Sequence, residues 1–196
     1  MDAYVHVAVG AAIGVLTKNT AKQVFPDLDR DGDRTFSGKL AHALELGTAY
    51  GAGFAGAVLS HVFMDMLPHG DYLAHYGVFL PDSLWLVREL LAVLFVLFMA
   101  MVMLRGRSRL AAFVSGVGGA LLDLDNMAIS LGWIERAQAL SPSHSGVWPH
   151  GQDIGEISFV CEMGFFLLAM GGLALISWRE RPRAVPARQT RPRVVG

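Results

Sequence analysis

The segment at residues 56–72 combines histidines and aspartates in a spacing that suits a metal ion. It reads GAVLSHVFMDMLPHGDY, so ionisable side chains follow one another in an otherwise apolar stretch. His61 and Asp65 are four residues apart, and a helix projects both from one face about one turn apart. Pro68 is expected to end that helix and to place His69 in the following turn. Such residues are typical zinc ligands, although a buried His–Asp hydrogen bond made for packing fits them equally well.

Other apolar regions carry side chains of the same types. His6 lies in the first apolar segment, Asp123 and Asp125 lie in the fourth, and His144 and His150 follow in the next loop. Leaving the two aspartates unpaired would be costly, since roughly 2.5–3.5 kcal/mol per charge is expected at a membrane centre. A cation would remove that cost, and a purely structural polar network is the alternative. The predicted metal ligands are His6, His61, Asp65, His69, Asp123, Asp125, His144 and His150.

Imidazole and carboxylate ligands without a thiolate favour zinc, with manganese or iron behind it. The one cysteine, Cys161, lies in an apolar run and is expected to serve packing. The candidates outnumber the ~4–6 ligands of a single ion, so a two-metal site and one ion with supporting carboxylates both fit. An open ligand position would hold a water molecule whose pKa falls to about 7, which is the chemistry of a metal-dependent hydrolase.

The composition is that of an integral membrane protein with one domain. The 196 residues are 53% hydrophobic and 17% charged, and the mean hydropathy is +0.43. The net charge of −1 gives no reason to expect a nucleic-acid partner. Residues 1–178 are predicted to form the helical domain, including an acidic loop at 19–38. Residues 179–196, rich in Arg and Pro, are predicted to be a disordered basic tail that contacts anionic lipid.

Five apolar segments predict an all-α, polytopic membrane helical bundle of about five transmembrane helices. They occupy residues 4–16, 40–67, 84–104, 110–133 and 154–178. The second and fourth segments are rich in Gly, Ala and Ser, so we expect them to pack closely together in the interior. The third segment is apolar throughout its second half and is expected to face lipid.

The basic residues are distributed unequally between the two predicted faces of the membrane. With five spans, 14 of the 16 Lys and Arg residues fall in regions 17–39, 105–109 and 179–196, which lie on one side. Because basic residues accumulate on the cytoplasmic side, the N-terminus is predicted outside and the C-terminus inside the plasma (inner) membrane. The predicted metal ligands then gather at the outer leaflet.

A second acidic motif, PDLDRDGDRTFSG, stands apart from these residues. Asp27, Asp29, Asp31 and Gly32 match the first half of a calcium-binding loop. The twelfth position is Gly38 instead of a bidentate Glu. A solvated turn is therefore favoured over a calcium site.

Several of these elements resemble a family of bacterial inner-membrane proteins described as metal-dependent hydrolases, some of them regulated by LexA. The resemblance includes His6, the SHVFMDMLPHGDY segment, the GALLDLDN element and the histidine pair of SHSGVWPHG, in the family's order. The family's P-D-x-D element is altered at Leu122, whereas PDLD itself occurs at residues 26–29, so either aspartate pair could be the family's. The resemblance implies a metal site and a hydrolase.

Three functions from different classes are consistent with the sequence. The first is a membrane-embedded metal-dependent hydrolase, with a lipid or lipid-linked phosphoester at the outer leaflet as substrate. The second is a metal or proton transporter, because chains of Asp, Glu and His also relay ions through membranes. The third is a non-catalytic membrane scaffold. The transporter is disfavoured because His42 and Glu45 are the only ionisable residues in the predicted inner halves of segments two to five.

The charge distribution makes the topology testable. Reporter enzymes fused after His75, Arg107 and Gly196 should give an external signal at the first position and cytoplasmic signals at the other two. An external signal from the Gly196 fusion would contradict the five-span topology.

Overall fold

The computed structural model describes residues 2–24, 36–69, 84–142, 144–147 and 151–181. Within these ranges the chain forms helices and loops and no strand, which confirms the all-helical class. A short 3-10 helix, Arg136–Gln138, precedes the last α-helix. The α-helices are α1 (Ala3–Val24), α2 (Phe36–Met64), α3 (Trp85–Met103), α4 (Arg107–Ala120), α5 (Asp123–Ser130) and α6 (Glu156–Arg179).

Some predictions fall outside the described residues. They include the acidic motif at 27–33, His75, His150 and the part of the basic tail beyond Arg181.

Helix α1 is the centre of the bundle. It packs against α2, α3, α4 and α6. Its residues Val5, Val7, Ala8, Ala11 and Val15 are completely buried. The first apolar segment, predicted as a short span at 4–16, is therefore a longer helix with an interior position. Helix α2 is less interior than predicted, because several of its large apolar side chains are exposed.

Glycine allows α1 and α4 to approach at backbone distance. A Cβ atom added at Gly10 would lie 2.5 Å from the Ser115 carbonyl oxygen, and one at Gly14 would collide with the carbonyl of Ala111. On the facing helix, a Cβ at Gly119 would collide with the carbonyl of His6. Small residues at these positions bring two helix backbones together, and this contact holds the bundle.

Helices α2 and α4 also pack together, as the small residues of the second and fourth segments predicted. A Cβ at Gly53 would lie 2.8 Å from the Ser115 hydroxyl oxygen, and one at Gly118 would lie 2.8 Å from the Phe54 ring. Gly47 and Gly51, by contrast, face open space. The close approach therefore concerns only part of the glycine-rich face of α2.

The fourth predicted segment is broken into α4 and α5, which meet at a bend of 42°. Gly118 and Gly119 have low helix propensity, and α4 ends directly after them at Ala120. Asp123 and Asp125 then lie in the first turn of α5, where carboxylates are favoured by the helix dipole. The bend gives Asp123 a position at a helix start instead of the middle of a span.

Two helices, α3 and α6, are long and apolar enough to cross a membrane, and the bent pair α4 and α5 adds a third if it counts as one span. This is the behaviour expected of a membrane protein. The exposed face of α3 carries Leu90, Leu94 and Phe98, in agreement with its predicted contact with lipid. Helices α1 and α2 are not among the candidates, so a bundle of about five spans is not confirmed and stays a prediction.

Contacts at the two ends show that successive long helices run in opposite directions. At one end, which we call the cluster end, His6 of α1 contacts Asp65, which follows α2. At the opposite end, Lys18 of α1 contacts Ser108 at the start of α4 and approaches Glu180, just beyond α6. Residues from distant parts of the chain are thereby collected at each end.

Gly14→Ala should destabilise the protein, because the added methyl group meets the Ala111 carbonyl and the Ser115 side chain. Overpacking of this kind costs about 1–3 kcal/mol, so the thermal unfolding midpoint in detergent should fall by several degrees. Gly51→Ala is the matched control, since its methyl group meets no other residue within 4 Å. Equal midpoints for the two variants would contradict the close packing of α1 and α4.

Candidate metal centre

Asp65 is the residue at which the buried histidines meet. It directly follows α2, and its carbonyl oxygen accepts a hydrogen bond from the Gly151 N–H at 2.6 Å. Its carboxylate lies 3.2 Å from His6 Nε2, 3.1 Å from His61 Nε2 and 3.0 Å from His144 Nε2. All four side chains are almost completely buried. Three imidazole nitrogens thus converge on one carboxylate from α1, α2 and the loop before α6.

Two of these close approaches are not hydrogen bonds. Three buried atoms have no hydrogen-bond partner among the described residues: both ring nitrogens of His6 and the Nε2 of His61. The two rings are stacked, with centroids 3.8 Å apart and an interplanar angle of 25°. Buried polar atoms are nearly always satisfied, so these nitrogens are candidate ligands for a metal ion together with the Asp65 carboxylate.

The second nitrogen of His61 fixes which of its atoms can bind a cation. Nδ1 lies 2.6 Å from the Gly119 carbonyl oxygen, which can only accept a hydrogen bond. Nδ1 therefore carries a proton, and Nε2 is the nitrogen of His61 that faces Asp65 and that could bind a cation. Histidine ligands of metals characteristically donate their other N–H to a backbone carbonyl in this way.

His144 and Asp123 complete what we call the His–Asp cluster, defined as His6, His61, Asp65, Asp123 and His144. His144 Nε2 lies 3.1 Å from the side-chain amide nitrogen of Asn126 as well as next to Asp65. Asp123 Oδ2 lies 3.7 Å from His61 Nδ1 and is buried without a hydrogen bond to any described residue. The cluster draws on four separate segments of the chain.

Two groups of three side chains in the cluster have ligand atoms within 4.8 Å of one another. One comprises His6, His61 and Asp65, and the other comprises His61, Asp123 and His144. The first group is the better site, because it uses the Nε2 lone pair of His61. In the second group, the His61 nitrogen nearest to Asp123 is the one already bonded to Gly119. Buried His and Asp groups that could hold a metal ion are therefore present.

The structure brings together five of the eight predicted ligands. His69 lies nearby, but its Nδ1 is 2.8 Å from the Leu67 carbonyl oxygen. The carboxylate of Asp125 accepts a hydrogen bond of 2.7 Å from the Ser141 N–H and so holds the loop that leads to His144. His150 lies outside the described residues.

Sequence reasoning did not identify two groups that shape the site. The Gly119 carbonyl acts through the backbone, and no residue type signals such a role. Asn126 contacts His144, and its position one residue after DLD was the available signal. Glu162 of α6 is fully buried and accepts a hydrogen bond from the Asp2 N–H at 2.9 Å.

A cavity of about 470 Å³ borders the cluster between α3 and α5. Asp123 and His69 line it on the cluster side. Its other walls are mainly apolar, with Trp85, Leu90 and Met127 among them. The cavity gives Asp123, which is 17% exposed, a path to solvent or to a small molecule.

The different contacts of Asp65 and Asp125 predict different effects of their substitution on metal binding. Zinc should raise the thermal unfolding midpoint of the wild type and of Asp125→Asn, because a ligand that binds only the folded state stabilises it. Asp65→Asn should lose this stabilisation, since the amide removes the charge on which three histidines converge. Equal stabilisation of Asp65→Asn and the wild type by zinc would contradict Asp65 as a metal ligand. Loss of the stabilisation in Asp125→Asn alone would show that the metal binds at Asp125 instead.

Comparison of the chain with family models, curated proteins and solved structures found no match. The resemblance to metal-dependent hydrolases of bacterial inner membranes stays a prediction from short motifs. The candidate metal centre is inferred from the geometry of the described side chains.

Proposed function

We propose that this chain is a membrane-embedded, metal-dependent hydrolase. The observation that carries the proposal is the approach of the His6 and His61 Nε2 atoms to the Asp65 carboxylate without hydrogen bonds, at 3.2 and 3.1 Å. Packing alone would satisfy these buried atoms by hydrogen bonds to one another. A divalent cation satisfies all of them at once.

The donor set favours zinc, with manganese or iron as further candidates. Two imidazole nitrogens and one carboxylate are a common protein ligand set of catalytic zinc, which leaves the fourth position for water or substrate. The bond from His61 Nδ1 to the Gly119 carbonyl provides an outer hydrogen bond of the kind that orients such ligands. His144 is available either as a further ligand or as a partner of Asp65.

Asp123 is the residue best placed to move a proton. Its carboxylate borders both the cluster and the cavity, whereas Asp65 is enclosed by the histidines. A bound divalent cation lowers the pKa of water to about 7 and polarises the bond to be cleaved. Asp123 would accept the proton of the attacking water and return it to the leaving group.

The cavity favours an amphiphilic substrate. A molecule with an apolar body can rest against Trp85, Leu90 and Met127 while its polar group reaches Asp123. α3, which forms one wall, is a candidate membrane span with an exposed apolar face. A lipid or lipid-linked phosphoester would meet such a site by lateral diffusion. The predicted orientation places this reaction at the outer leaflet.

Transport of the metal or of protons is the second candidate. A transporter needs a polar path away from the cluster toward the opposite end. Along that direction α1 is buried against a core that includes Ala11, Val15, Ala112, Leu104 and Leu173. This apolar packing favours a closed site that reacts over a conducting one.

The proposal is tested by metal content and hydrolysis measured on the same preparations. Wild-type protein purified in detergent without chelator should contain stoichiometric zinc, manganese or iron, and His61→Ala should lose it. The wild type should hydrolyse one of a panel of phosphoesters, carboxylic esters and amides. A chelator should abolish this activity and added metal should restore it.

Asp123→Asn separates the chemical step from metal binding. It should retain at least part of the metal but lower kcat by 100-fold or more, because the base is lost. Asp125→Asn is the control and should keep both metal and activity. Wild-type protein that is purified without metal and does not bind added zinc, manganese or iron would contradict both the metal centre and the hydrolase. Metal-loaded protein that is inactive on the whole panel and carries metal into vesicles would instead support transport.

A further inference from the structure

A second site lies at the end of the bundle opposite the cluster. A cavity of about 700 Å³ is bounded there by the C-terminal part of α1, the turn between α3 and α4, and the end of α6. Its described lining includes five cations, Lys18, Lys22, Arg105, Arg107 and Arg179, and one carboxylate, Glu180. We call this cavity the basic pocket.

The floor of the basic pocket is a built hydrogen-bonded network. Lys18 is 94% buried, and its Nζ lies 3.3 Å from the Ser108 hydroxyl oxygen. The Ser108 hydroxyl donates a hydrogen bond of 2.8 Å to Glu180, whose carboxylate is also 4.0 Å from Lys18 Nζ. Glu180 therefore pairs with the buried Lys18, and the described lining contains four further cations.

The rim presents this positive charge to whatever occupies the pocket. Arg105 and Arg107 flank Gly106, whose φ of 51° lets the chain turn sharply between α3 and α4. α4 begins at Arg107 without a side-chain cap, so the positive end of its dipole adds to the arginines. Arg107 is also held 3.2 Å from His42. Several cations around one cavity suit the binding of a phosphate group.

We infer that the basic pocket is a binding site for a phosphate group, carried either by an anionic lipid headgroup or by a soluble phosphate. The inference is independent of the proposed hydrolase, since no residue of the pocket belongs to the His–Asp cluster. It also differs from a contact between lipid and the basic tail, because four of its five cations lie on α1 or next to Gly106. The predicted orientation places the pocket at the cytoplasmic face, where anionic headgroups attract basic residues.

Two variants with equal loss of charge test the site on the full-length protein. Arg105→Gln/Arg179→Gln removes two exposed cations of the pocket. Arg109→Gln/Arg136→Gln removes two exposed arginines that do not line it. Each protein is titrated with phosphatidylglycerol in phosphatidylcholine nanodiscs and, separately, with inorganic phosphate in detergent. Binding is measured by native mass spectrometry and by the shift of the thermal unfolding midpoint.

The pocket variant should bind phosphatidylglycerol at least tenfold more weakly than the wild type, and the control should stay within twofold of it. Binding of phosphatidylglycerol alone identifies a lipid headgroup, and binding of inorganic phosphate with the same dependence on the variants identifies a soluble phosphate. If the wild type binds neither phosphatidylglycerol nor inorganic phosphate, the inference is wrong. It is also wrong if the two variants weaken binding equally. The unfolding midpoint without ligand checks that the pocket variant remains folded.

Discussion

The structure depends on how the buried Asp65 carboxylate is compensated. An isolated charge cannot be taken out of water without a large cost in free energy, so the chain must supply partners at that place. It supplies three imidazoles, and the Gly119 carbonyl holds the His61 ring with Nε2 toward the carboxylate. A metal ion bound by these groups, as proposed above, would complete the balance of charge. α1, α2 and the loop at His144 each contribute one of the three imidazoles.

Close helix packing and the metal centre are parts of one arrangement. Gly119 lacks a side chain, so α4 can touch the His6 backbone on α1. The same residue presents its carbonyl to His61 on α2. The spacing of three helices and the orientation of two candidate ligands are therefore set at one glycine. The chain then bends after Ala120, which places Asp123 at the cavity instead of inside the helix interface.

The sequence predicted the helical class and the positions of the five apolar segments, because long apolar runs and small-residue faces are local signals. It also identified His61 and Asp65, whose spacing has meaning on any helix. It could not separate Asp123 from Asp125, since their difference depends on the bend between α4 and α5 and on the Ser141 N–H. It placed His6 among the candidate ligands, and only tertiary packing shows that His6 stacks directly on His61. The number of spans stays open, because α1 and α2 are less apolar than spans of that length usually are.

The two ends of the bundle are chemically distinct and are separated by an apolar middle. The cluster end holds carboxylates and imidazoles, whereas the opposite end carries an excess of arginine and lysine. Between them, α1 is packed against aliphatic and small side chains from α3, α4 and α6. In the proposed hydrolase, a substrate would therefore reach the His–Asp cluster from the cluster end, through the cavity beside Asp123. An anion bound in the basic pocket would lie against the C-terminal part of α1, and the same helix carries His6 of the cluster at its other end.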